Sequence, residues 1–206
     1  MNLPNKLSLL RMILVPVFMV VLALPGTVLP LWLSSVIGTV IFIVASITDC
    51  LDGKIARKYN LITDFGKLID PLADKFMVIG ALIMILYRAN TYRALFVLAL
   101  TVVVFRELAV TAMRLITASK SGVAVPANML GKIKTVSQIV FVIAALIEPL
   151  LYPVGGASIQ VIPVTQWARL AQILPLTLLS GIVMSVFTVW SGIHYIVALW
   201  KYIETK

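Results

Sequence analysis

Apolar residues run through this chain in six long stretches, roughly 9–29, 31–53, 68–88, 92–117, 133–153 and 171–199, with short polar segments between them. Each reaches the 20 or so residues that a helix needs to cross a bilayer. The pattern predicts an all-α integral membrane protein of six transmembrane helices. A single domain over residues 1–206 is expected, because no repeat, low-complexity tract or long linker divides the chain. Met1 to Arg11 reads as a short N-terminal interfacial segment leading into the first span. Pro16 predicts a kink within that span, and Pro25-Gly26 its end. The first stretch lacks an Ala-x-Ala-like site and a second follows almost at once, so it reads as a span and not as a cleaved signal. Tyr152–Arg169, with Pro153, Gly155, Gly156 and Pro163, is the longest expected non-helical segment.

Composition agrees with this pattern. A mean hydropathy of +1.08 with 61% hydrophobic and only 12% charged residues excludes an ordinary soluble domain. The charges that remain are unevenly placed. With both termini cytoplasmic, fourteen of the 17 lysines and arginines fall on the inner side, leaving Arg88, Arg93 and Arg169 outside. This positive-inside bias predicts a multi-pass protein of the cytoplasmic membrane, with its basic face against anionic lipid headgroups. Nucleic-acid binding is not expected, since the basic residues flank apolar spans.

The acidic residues carry the chemistry. All five aspartates fall between positions 49 and 74. Four of them, Asp49, Asp52, Asp70 and Asp74, stand at i, i+3 and i, i+4 spacings, so each pair shares a helical face. Carboxylates cost about 2.5–3.5 kcal/mol each at a bilayer centre on insertion scales. Converging carboxylates repel one another unless a cation sits among them, and hard divalent ions suit such an oxygen-rich site. The topology brings both pairs together at the cytoplasmic ends of the second and third spans, joined by a short turn with Asn60, Thr63, Asp64 and Gly66. Asp64 reads as a cap or turn residue.

Written as spacing, the segment is Asp49-x2-Asp52-Gly53-x2-Ala56-Arg57-x8-Gly66-x3-Asp70-x3-Asp74. It resembles, without departure, the defining motif of the CDP-alcohol phosphotransferases, and the six-span pattern extends the likeness over the whole chain. The resemblance implies two divalent cations, Mg2+ or Mn2+, held by Asp49, Asp52, Asp70 and Asp74. It implies Asp74 as the base that takes the proton of the acceptor hydroxyl. Asn5, Asp49, Gly53, Ala56, Arg57 and Gly66 would contact the CDP-lipid. Gly53 and Ala56 leave room for nucleotide and phosphates, and the planar Arg57 fork suits a phosphate.

A basic set narrows the acceptor. Arg106 and Arg114 lie eight residues apart, near one face of the fourth helix. Lys132 and Lys134 open the fifth helix behind Gly131, where a helix N-terminus adds backbone donors. Four cations approaching the aspartates fit a phosphorylated alcohol better than choline or ethanolamine. These segments, with Asn2-Leu3-Pro4-Asn5-x-Leu7-Ser8-x2-Arg11, are similar to those of bacterial members that make phosphatidylglycerol phosphate. That likeness implies CDP-diacylglycerol and sn-glycerol 3-phosphate as substrates, and Arg106, Arg114, Lys132 and Lys134 as the acceptor-phosphate site. Glu107 is positioned to orient Arg106 or Arg114. Members using inositol phosphate, or a second lipid as in cardiolipin synthesis, are the alternatives within the family. A divalent-cation transporter is the alternative outside it, although a transporter would place its carboxylates nearer the midplane. A homodimer is expected from the resemblance. Cys50 reads as a small core residue, and His194 as a packing or interfacial one.

Overall fold

The computed structural model describes residues 3–59, 64–88, 93–121, 129–151 and 175–204. They form six helices: α1 (Leu3–Ala23), α2 (Leu31–Lys58), α3 (Asp64–Arg88), α4 (Arg93–Ser121), α5 (Met129–Leu151) and α6 (Pro175–Glu204). Five of these, α1, α2, α4, α5 and α6, are long and apolar enough to cross a membrane. The exception is α3, whose first half carries Asp64, Lys67, Asp70, Asp74 and Lys75.

The boundaries correct two expectations. α1 is helical from Leu3 and continues through Pro16, so the N-terminal segment leads into the span as the first turns of one continuous helix. α1 also ends at Ala23, before Pro25, because a residue preceding proline is poorly placed in helical geometry. α3 begins at Asp64, which puts Asp64 and a buried Gly66 inside the helix instead of in the connecting turn. α2 runs past Asp52 to Lys58, so the first aspartate pair stands on continuous helix. The predicted loop at Tyr152–Arg169 and the turn residues Asn60 and Thr63 lie outside the described residues.

α1 packs against α2 and α3, α5 against α2, α3 and α6, and α4 against α3 and α6. Successive helices alternate in direction, so the starts of α1, α3 and α5 gather with the ends of α2, α4 and α6. The shared core draws on all six helices through residues such as Phe18, Phe42, Met77, Val103, Phe141 and Met184. Small residues permit the closest approaches. A Cβ on Gly38 would stand 2.8 Å from Leu22 of α1, and one on Gly80 would stand 3.2 Å from the Met19 sulfur. The outward faces remain apolar and exposed, as at Phe105, Leu115, Leu179 and Val197. Such surfaces belong against lipid or another apolar partner.

Candidate active site

At the end where α1, α3 and α5 begin, one guanidinium organises the carboxylates. Arg11 of α1 is fully buried. Its Nη1 donates to Asp49 Oδ1 at 2.6 Å and to Asp74, and its Nη2 donates to Asp52. Three helices therefore converge on one cation. A fully desolvated arginine is tolerable because it is paired with acceptors. The three carboxylates are not equivalent: side-chain exposure rises from 6% for Asp52 to 31% for Asp49 and 49% for Asp74. Asp74 is thus the member best able to meet an incoming group.

Asp70 precedes Asp74 by one turn of α3, and Gly53, Ala56 and Arg57 follow Asp52 on α2; their side chains lie outside the described residues. Asn5 is buried at the start of α1, with Ser8 and Arg11 at successive three-residue steps. These positions form a polar face on an otherwise apolar helix.

A second cluster lies on α4, α5 and α6. Glu107 accepts from Arg106 Nη1 at 3.2 Å and also from Lys134. Arg106 Nη2 donates to Ser191 Oγ at 2.6 Å. Arg114 Nη2 donates to the Tyr195 hydroxyl at 2.8 Å. The buried Tyr195 ring lies against both guanidiniums, 4.7 Å from Arg114 and 5.6 Å from Arg106, at cation–π distance. Two glycines make room for this stack: a Cβ on Gly192 would stand 3.1 Å from Arg106 Cγ, and one on Gly131 would stand 3.2 Å from the Tyr195 hydroxyl. Arg106, Arg114 and Lys134 are thereby brought together, whereas Lys132 stands on the exposed face of α5. Lys134 stands in the first turns of α5, at the end of the bundle where α1 and α3 begin. His194 packs edgewise on Tyr195 with ring centres 6.4 Å apart, and Cys50 is exposed.

The aspartate cluster suits a hard cation in kind and in charge. Its described donors are all carboxylate oxygens, and three ionised carboxylates around one guanidinium would leave those four side chains with a formal charge of −2. Among the described residues no three such ligands form a ready-made cage, and Arg11 stands between Asp49, Asp52 and Asp74.

In the sequence Arg11 stands out only as an inner-side cation and a motif member; the polar face at positions 5, 8 and 11 is the signal for its contacts. Glu107 was expected to orient an arginine, and it holds Arg106 together with Lys134. Tyr195 and Ser191 carried no signal, since hydroxyl-bearing residues in apolar helices are commonplace.

The family model for CDP-alcohol phosphatidyltransferases matches residues 1–200. A Bacillus subtilis (strain 168) protein named CDP-diacylglycerol--glycerol-3-phosphate 3-phosphatidyltransferase is 38% identical over 214 aligned positions, covering 100% of this chain and 98% of that protein. Its namesake in Rickettsia felis is 38% identical over 71% of this chain and 75% of its own length. The namesake in Salmonella paratyphi A is 32% identical, covering 96% of this chain and 94% of its own.

Proposed function

Because the chain belongs to the CDP-alcohol phosphatidyltransferase family, we propose that it transfers the phosphatidyl group of CDP-diacylglycerol to sn-glycerol 3-phosphate. The products are phosphatidylglycerol phosphate and CMP. The observation that carries this reading is that Arg106, Arg114 and Lys134 are gathered on α4 and α5 in a bundle whose α1, α2 and α3 bring Asp49, Asp52 and Asp74 together. The names of the aligned relatives support the same acceptor.

The reaction moves one proton and exchanges one phosphorus–oxygen bond. The primary hydroxyl of glycerol 3-phosphate gives its proton to Asp74, the most exposed of the three carboxylates. Its oxygen then bonds to the phosphatidyl phosphorus. The bond from that phosphorus to the bridging oxygen breaks, and CMP leaves with that oxygen. Asp49, Asp52, Asp70 and Asp74 would hold divalent cations, Mg2+ or Mn2+, which neutralise charge on the pyrophosphate and on the departing CMP. Arg11 pairs with three of them, Asp49, Asp52 and Asp74, and a cation bound there would share those carboxylates with it. Arg106, Arg114 and Lys134 draw the acceptor phosphate toward the aspartates, and Glu107 keeps two of these cations in register. Gly53, Ala56 and Arg57 would contact the nucleotide in this reading.

The protein sits in the cytoplasmic membrane with α3 as a sixth span, and with the site and both termini on the cytoplasmic side. The lipid substrate enters from the inner leaflet, and the exposed apolar faces leave room for a homodimer. Purified enzyme supplied with CDP-diacylglycerol, Mg2+ or Mn2+, and either glycerol 3-phosphate or inositol phosphate tests the reading. CMP should appear with glycerol 3-phosphate. Release with inositol phosphate alone reassigns the acceptor, and release with neither acceptor rejects the transferase.

A further inference from the structure

We propose that Gln138 reads the bystander hydroxyl of the acceptor, and so sets which phosphorylated alcohol the enzyme accepts. The inference rests on the glycerol 3-phosphate reading above and adds a residue to it. Gln138 is completely buried, and neither its Oε1 nor its Nε2 has a hydrogen-bond partner among the described residues. Buried side-chain amides almost always find partners, so one orphaned at both ends points to a group that completes it.

Its position says where that group lies. Gln138 follows Lys134 by one turn on the same face of α5, one step further into the bundle from the basic cluster. Gly131 meets Tyr195, Phe141 meets Gly181, and Glu148 meets Thr177, so α5 and α6 run antiparallel in a defined register. That register sets Gln138 level with the region of Thr188, whose buried hydroxyl is also orphaned among the described residues. Arg106 Nε, buried on the third helix of the cluster, is orphaned in the same way.

Chemistry selects the ligand. A phosphate only accepts hydrogen bonds and could satisfy Nε2 but not Oε1. A hydroxyl donates to one and accepts from the other. Phosphate therefore belongs with Arg106, Arg114 and Lys134, and a neighbouring alcohol belongs with Gln138. Glycerol 3-phosphate carries that pair: its phosphate and, on the adjacent carbon chain, a secondary hydroxyl that takes no part in the transfer. The remaining primary hydroxyl is left to face Asp74.

The test compares wild type with Gln138→Leu and Gln138→Met on two acceptors, sn-glycerol 3-phosphate and 3-hydroxypropyl phosphate, which lacks only the secondary hydroxyl. A site built around a hydroxyl rejects the analogue without it strongly, so wild type should prefer the natural acceptor by about 100-fold or more in kcat/KM. In the variants that preference should collapse to within about 3-fold, through loss on glycerol 3-phosphate, with the KM for CDP-diacylglycerol unchanged. Melting temperatures without acceptor should match or exceed wild type, since an unpartnered amide is removed. Retained discrimination in either folded variant overturns the proposal and leaves Gln138 to a bound water. A lowered melting temperature in both variants marks it as structural support and overturns the proposal too. Absence of wild-type turnover on glycerol 3-phosphate is a different failure, that of the acceptor assignment on which this one stands.

Discussion

Arg11 is fully buried among three carboxylates, and removing one partner of a desolvated ion pair costs about 3–5 kcal/mol. Arg11→Gln should therefore melt well below wild type in chelator. Saturating Mn2+ should shrink the difference, because a bound cation takes over the neutralising role. An equal loss with and without metal, followed by differential scanning fluorimetry, would refute the idea that Arg11 and the metal share one place. Asp74→Asn should abolish CMP release while CDP-diacylglycerol binding survives; persistent turnover would remove Asp74 as the base. Spacing alone made the aspartates legible, since i, i+3 and i, i+4 pairs must share faces. Arg11 was hidden because its partners lie 38 to 63 residues away, and no local pattern encodes such a contact. Tyr195 was hidden for the same reason: its value comes from two arginines on another helix.

Between helices, polar contacts at the end remote from the aspartates fix the packing. Arg88 of α3 donates to Leu22 O at 3.0 Å, Ser35 Oγ at 2.9 Å and Ser34 Oγ at 2.6 Å, tying three helices together. Glu148 of α5 accepts from the backbone N–H groups of Leu176 and Thr177 at 2.8 and 2.6 Å. It caps α6 from a neighbouring helix and meets the positive end of its dipole. Glu148→Ala strands two N–H groups and should cost about 1–3 kcal/mol, seen as a lower thermal midpoint with near-normal kcat at low temperature. A large kcat defect in a fully folded variant would show that this end communicates with the site. The helices themselves were readable from hydropathy, but their ends moved by several residues. Local capping and proline chemistry set ends, and long apolar runs blur them.

For the molecule as a whole, alternating helix direction gathers Lys6, Arg11, Lys75, Arg106, Arg114, Lys132 and Lys134, among the described residues, toward the end where Asp49, Asp52 and Asp74 sit. The cytoplasmic orientation proposed from that bias has a direct test. Lys6 is exposed at the start of α1. A Lys6→Cys protein in a Cys50→Ala background should react with a membrane-impermeant maleimide in inside-out vesicles and not in right-side-out ones. The opposite pattern would invert the topology and place the chemistry outside the cell.

α3 is the helix whose composition alone does not qualify it to cross a bilayer, and its Asp74 meets its counter-charge on α1. The order of synthesis therefore matters. When α3 leaves the ribosome, α1 with Arg11 and α2 with the first aspartate pair have already emerged. A helix too polar to partition into lipid alone can then be drawn in as the third member of a preassembled hairpin. In the six-span arrangement proposed above, the same ion pairs that shape the site would act as a chaperone in cis, making membrane insertion of this chain an ordered assembly.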